Sequence, residues 1–181
     1  MAVTAILLLL LAKGWQRWGN VAQIDCFWNP PQALLGCGVG LGISAVSMVL
    51  YSSWPTYRTS AETYLNLVLR PLILPDLIWL GLLPGLSEEL LFRGVMLPSL
   101  GGNAIAVIVS ATTFGLLHMS SRSQWPYALW ATVVGLVFGS VTILTGNLLV
   151  PIVAHGLANI LSALLWKRLQ LTPSGKNDAD S

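Results

Sequence analysis

Charge is what this sequence has least of. Of its 181 residues, 9% are Asp, Glu, Lys or Arg, against about 25% in an ordinary soluble protein. A soluble domain of this length could not cover its surface with so few charges, whereas lipid needs none. The net charge is +2, and no basic stripe with interleaved aromatics occurs. The footprint of a nucleic-acid binder is therefore missing. Cysteine is scarce too. Cys26 and Cys37 are too few for a disulfide framework, and they have neither C-x-x-C nor Cys/His finger spacing. There is no H-E-x-x-H zinc helix, no internal repeat and no linker long enough to separate a second domain from the first. The apolar start, Met1–Ala12, carries its positive residues Lys13 and Arg17 behind it. A secretory signal peptide carries them in front.

What the chain does have is apolar sequence. Hydrophobic residues make up 55%, and the eight Trp suit membrane–water interfaces. Seven apolar segments can be read: Ala2–Ala12, Ala33–Tyr51, Tyr64–Leu83, Ser87–Leu100, Asn103–His118, Trp125–Leu144 and Asn147–Trp166. Three approach the roughly 20 residues that span a bilayer. The first reaches only about 18 Å at 1.5 Å per residue, so the helix either runs on through Trp15 and Trp18 or lies partly in the interface. The third holds Arg70, Pro71, Pro75 and Asp76, which predicts a kink. Pro84-Gly85 and Gly101-Gly102 bracket the fourth, and Thr145-Gly146-Asn147 predicts a tight turn. The expectation is an all-α polytopic membrane bundle of about seven to eight transmembrane segments. Residues 1–171 form one membrane-embedded domain, and 172–181 a polar, disordered tail. If the segments alternate and the C-terminus is cytoplasmic, Lys13, Arg17, Arg122, Lys167, Arg168 and Lys176 fall inside and Arg58 outside. That asymmetry obeys the positive-inside rule.

The remaining charges concentrate the chemistry. The fourth segment reads Ser87-Glu88-Glu89-Leu90-Leu91-Phe92-Arg93. Glu89 and Arg93, four apart, share a helix face and can pair. Glu88 is turned about 100° away and lacks that partner, so it is the candidate proton acceptor. A non-catalytic reading exists: Ser87 caps the helix, and both acids favour its positive end. Phe114 and His118 share a face at the end of the fifth segment. In the seventh, His155 and Asn159 share another, well inside the membrane. An interhelical hydrogen bond would explain that pair without catalysis. The combination weighs more than any member. A Glu can take a proton from water, while His and Asn donors stabilise the oxyanion that forms at an attacked carbonyl.

Taken in order, E-E-x-x-x-R (Glu88, Glu89, Arg93), F-x-x-x-H (Phe114, His118) and H-x-x-x-N (His155, Asn159) resemble the CPBP family. That family comprises the CAAX prenyl proteases and bacteriocin-processing relatives, also called ABI. The resemblance covers roughly Leu83 to Trp166. It implies an integral, multi-pass intramembrane peptidase that hydrolyses a peptide bond near a substrate C-terminus or close to the membrane, with its site facing the cytoplasm. Glu88 and His118 would activate water, His155 and Asn159 would hold the oxyanion, and Glu89, Arg93 and Phe114 would support them. The family was named for metalloproteases. Glu88, His118 and His155 would make a three-ligand zinc site with an open position, and they can equally work without metal. The implied partners are a peptide or protein substrate, lipidated or not, and membrane lipid. Two other functions compete. One is a non-catalytic scaffold or immunity protein that keeps the fold. The other is a proton pathway through Glu88, His118 and His155.

Overall fold

The computed structural model describes residues 2–171, with side chains to Arg168. Every element within them is helical. The helices are α1 (Ala2–Gly19), α2 (Pro30–Ser53), α3 (Pro55–Leu69), α4 (Leu77–Glu89), α5 (Ala104–Leu117), α6 (Trp125–Thr145) and α7 (Leu149–Leu171). A 3₁₀ turn, Leu74–Asp76, leads into α4, which continues without a break as a π-helix, Leu90–Met96, and a last turn, Leu97–Ser99. The outer surface is apolar: Leu34 is 72% exposed, Ile105 71% and Leu144 83%. Glu89, Arg93, Gln124, Thr142, Asn147 and His155 are buried. This inside-out distribution suits a bundle solvated by lipid, and the chain is an integral membrane protein.

Among the described residues, three helices are long and apolar enough to span a membrane, Pro30–Ser53, Arg122–Thr145 and Leu149–Arg168. The pair Pro55–Leu69 and Leu74–Ser99, bent by 104°, would make a fourth. That is fewer than the seven to eight expected, for three reasons. The first apolar stretch does run on through Trp15 and Trp18, but it gathers polar residues as it does. The Ala104–Leu117 helix is short. The expected break at Pro84-Gly85 does not exist: Pro84 lies inside α4, so the third and fourth segments do not divide there. Division comes at Arg70–Ile73 instead, where Pro71 and Pro75 withhold amide hydrogens. Asp76 catches the Ile73 amide at 3.0 Å, and Lys167 donates to the Leu72 carbonyl at 2.6 Å. The result is that α3 turns Tyr57, Ser60, Ala61 and Leu69 inward and leaves Thr59, Thr63 and Asn66 exposed.

Small residues set the central packing. A Cβ at Gly81 would stand 2.8 Å from the Gly156 carbonyl, and one at Gly40 would stand 2.7 Å from the Ala154 carbonyl. Only glycine lets α4 and α2 approach α7 this closely, the usual device where no hydrophobic effect drives helices together. The register follows: α2 runs parallel to α7, and α4 antiparallel to it. The Asn147 side chain ties the opposite end. It accepts from the Phe27 and Leu149 amides and donates to the Phe27 carbonyl and to Gln32. The strict alternation of segments across the membrane is thereby overturned. Trp54 meets Trp125 with ring centroids 5.7 Å apart, and Lys167 meets Leu72. Arg58, Arg70, Arg122, Lys167 and Arg168 therefore share one end of the bundle. Ile24 donates to the Gly94 carbonyl, which carries the end of α1, with Lys13 and Arg17, towards the other.

Candidate active site

The pair Glu88-Glu89 sits at the last residues of α4, immediately before the π-helix. The Ser87 capping reading fails here. Ser87 is 1% exposed, is the eleventh residue of the helix that starts at Leu77, and donates to the Leu83 carbonyl at 2.7 Å. No helix N-terminus is present to attract the two acids. The π-helix that follows shifts its backbone bonding to i→i+5, as where the Leu97 amide donates to the Phe92 carbonyl. Two of its carbonyls also accept from outside: Ser110 donates to Phe92 at 3.1 Å, and Ile24 to Gly94 at 3.1 Å.

Glu89 and Arg93 form the expected pair, 2.9 Å apart with both side chains fully buried. Arg93 also donates to the Gly135 carbonyl of α6 at 3.1 Å, and its guanidinium lies over the rings of Phe114 and Phe138 at 4.6 and 5.3 Å. These faces replace water around the charge. Glu89 does more than brace its own helix. The oxygen that takes the Arg93 bond also takes one from His155 Nδ1 at 2.7 Å. A carboxylate can only accept, so Nδ1 carries the hydrogen. Glu89 thus holds the Nδ1 hydrogen and the ring orientation of a histidine on another helix, in the way an outer carboxylate orients a functional histidine. Phe138 stacks on the other side of the His155 ring.

His118 is fixed the same way by a different acceptor. It is the last residue of α5, and its Nδ1 lies 2.8 Å from the Phe114 carbonyl. That oxygen accepts, so Nδ1 donates and Nε2 is left facing outward. Both Nε2 atoms then face one oxygen: Glu88 Oε2 is 3.8 Å from His118 and 3.9 Å from His155. Glu88 and His118 keep 18% and 16% of their side-chain surface exposed, and His155 keeps 7%. Glu88 Oε2 itself is enclosed and bonds to no protein group among the described residues. Phe114 lies edge-on to His155 and tilted to His118, which spaces the two rings. Asn159, one turn along α7 from His155, lines the same cavity of about 520 Å³ as both histidines. The three sequence motifs therefore meet at one place.

Three features had no sequence signal: the Phe138 stack, the Gly135 carbonyl and an aromatic wall in which Tyr64 and Tyr127, 4.6 Å apart, flank His118. Each belongs to an apolar or mixed stretch in which spacing singles out nothing.

Zinc does not fit this arrangement as it stands. Among the described residues, no three His, Cys, Asp or Glu side chains are placed to hold one ion. Ligands about 2.0–2.1 Å from a tetrahedral zinc lie roughly 3.3 Å from each other, nearer than the 3.8 and 3.9 Å found here.

The family model for type II CAAX prenyl endopeptidase Rce1-like proteins matches residues 70–161. That stretch contains every motif residue from Glu88 to Asn159. An uncharacterized protein of Bacillus subtilis, YpbD, is 34% identical over 82 residues, which is 45% of this chain and 41% of that protein. The chain thus matches less than half the length of that relative. No solved structure matches.

Proposed function

Because the chain belongs to the type II CAAX prenyl endopeptidase Rce1-like family, we propose that it is an intramembrane peptidase in which Glu88 activates water without a metal. The observation that carries this is the convergence of His118 Nε2 and His155 Nε2 on Glu88 Oε2. A water seated between Glu88 and His118 gives one proton to the carboxylate and shares the other with the Nε2 lone pair. Its own lone pair is then free to attack a peptide carbonyl. The tetrahedral oxyanion is held by the Asn159 amide and by His155. Donation from His155 Nε2 requires the imidazolium form, because Nδ1 already donates. Glu89 supplies the balancing charge, and with Glu88 and Arg93 the four charged groups then sum to zero. Collapse of the intermediate passes the proton from Glu88 to the leaving amine. The site is reached from the end of the bundle that holds Arg58, Arg70, Arg122, Lys167 and Arg168. By the positive-inside rule that end is cytoplasmic. The substrate is a peptide or protein chain, lipidated or not, near its C-terminus or near the membrane.

The test is cleavage of a broad panel of C-terminal peptides, prenylated and plain, by protein purified in detergent. Glu88→Gln should lower turnover by about 10²–10⁴-fold, the usual worth of a positioned general base. An equal lack of cleavage by wild type and variant across the panel would sink the reading and favour a scaffold. Dialysis against a strong chelator should leave turnover intact. Loss on chelation with recovery on zinc would instead assign Glu88, His118 and His155 as ligands.

A further inference from the structure

A second cavity, of about 360 Å³, lies at the basic end of the bundle, between the start of α3 and the start of α6. Thr56, Thr59, Ser60 and Thr63 line it from α3, and Ser123 and Gln124 from the turn before α6. No Asp or Glu is among its described lining residues. Gln124 is 1% exposed, yet its Nε2 is enclosed and bonds to no protein group among the described residues. The orientation of that amide is fixed: Oε1 takes the Ser120 amide hydrogen at 2.8 Å, and a backbone amide can only donate. Ser120 does not line the cavity, so Nε2 is the side of the amide turned to it. The N-terminus of α3 opens on the same space. It starts at Pro55 and no side chain caps it, which leaves its first amides and the positive end of its dipole for a ligand. One turn on, the Ser60 hydroxyl takes the Tyr127 amide at 3.3 Å, which joins α3 to α6 beside the cavity.

We propose that this cavity holds the phosphate of an anionic phospholipid from the leaflet at the basic end. Its two unmet demands, the Gln124 amide and the α3 N-terminus, both call for an anionic acceptor. Phosphate oxygens answer both, and Arg122, next to Ser123, is exposed at the same end. The surroundings favour a lipid over a free ion. The Trp54 and Trp125 rings meet beside the cavity, and tryptophan marks the headgroup level of a membrane. From Trp125, exposed Leu129 and Val133 continue one stripe along α6, a path for an acyl chain. A cluster of basic residues next to the membrane is also where anionic lipid gathers. Such binding is independent of any peptidase activity.

The test melts the protein, stripped of lipid in a neutral detergent, with and without dioctanoyl phosphatidylglycerol. At ten times its Kd, a lipid bound only to the folded state should raise Tm by about 3–6 °C. Dioctanoylglycerol, which lacks the phosphate, and inorganic phosphate, which lacks the chains, should each give little shift at the same concentration. This series needs no variant. Thr56→Asp then places a carboxylate in the first turn of α3, where it suits the helix and repels phosphate. The lipid-free melt should hold, and lipid affinity should fall about tenfold or more. Arg70→Gln removes the same unit of charge from the same end, outside the cavity, and should leave affinity within about twofold. No shift with the phospholipid, an equal shift with dioctanoylglycerol, or equal weakening by Arg70→Gln and Thr56→Asp would overturn the site. An equal shift with inorganic phosphate would overturn the lipid and assign a free anion.

Discussion

One carboxylate oxygen of Glu89 serves two partners, Arg93 on its own helix and His155 on α7. Spacing within one helix gives its pairing with Arg93, and that pair is present at 2.9 Å. Its bond to His155, 66 positions away at 2.7 Å, has no counterpart in any local spacing, because it depends on how α4 and α7 cross. The same holds for the Gly135 carbonyl on Arg93. The ionisable members of the candidate site were legible because apolar sequence makes every ionisable residue conspicuous. Their orienting partners were not, because a backbone carbonyl or a phenyl face looks like its neighbours. Two variants separate the roles. Glu89→Gln keeps the size but loses the carboxylate that Arg93 and His155 share, so kcat should fall with little change in KM; a rise in KM alone would argue against the assignment. Arg93→Met leaves Glu89 buried beside a single partner. Breaking a buried pair this way costs about 3–5 kcal/mol, which thermal or detergent unfolding should register as a large loss of stability.

Among the elements, α4 shows where punctuation misleads. Pro84-Gly85 looks like a helix break, yet the helix runs through it. Gly85 sits close to Gly156, with a would-be Cβ 3.2 Å from the Gly156 amide nitrogen. Gly85 permits close approach to α7, and a turn signal cannot be told from a packing signal without the partner helix. Pro71 and Pro75 do punctuate: α3 ends at Leu69, and α4 begins only after the 3₁₀ turn that holds Pro75. The loop before α2 is held in a different manner, by the buried side chain of Asn147 with its four hydrogen bonds. Asn147→Ala would leave the Phe27 amide and carbonyl without that partner. At about 1–3 kcal/mol for each buried group left unsatisfied, a clear drop in melting temperature is expected. Hydrogen exchange should rise first in residues 20–29; uniform exchange through the bundle would argue against a local tether.

For the whole molecule, the arrangement of ends makes orientation measurable. Cys26 lies exposed in the loop after α1, at the end opposite His118, whereas Cys37 is half-buried within α2. A membrane-impermeant maleimide added outside intact cells should label Cys26, and a cysteine introduced at Ser123 should be labelled only after the cells are opened. The reverse pattern would turn the site outward. Although the residue is exposed, partial desolvation of its thiol by the surrounding loop pushes Cys26 up from its usual range. The reactive thiolate is therefore scarcer at neutral pH, and labelling should climb more steeply as pH rises than for a free thiol. The shared hydrogen bonds of Glu89 also bear on how the protein is made. The helix that carries Glu88, Glu89 and Arg93 emerges from the ribosome well before His155. At about 2.5–3.5 kcal/mol for each mid-membrane charge, it is a poor candidate to enter lipid alone. Its partners arrive with α6 and finally α7. Stable insertion should therefore wait for the end of synthesis, and a chain cut before His155 should be held by the insertion machinery or degraded.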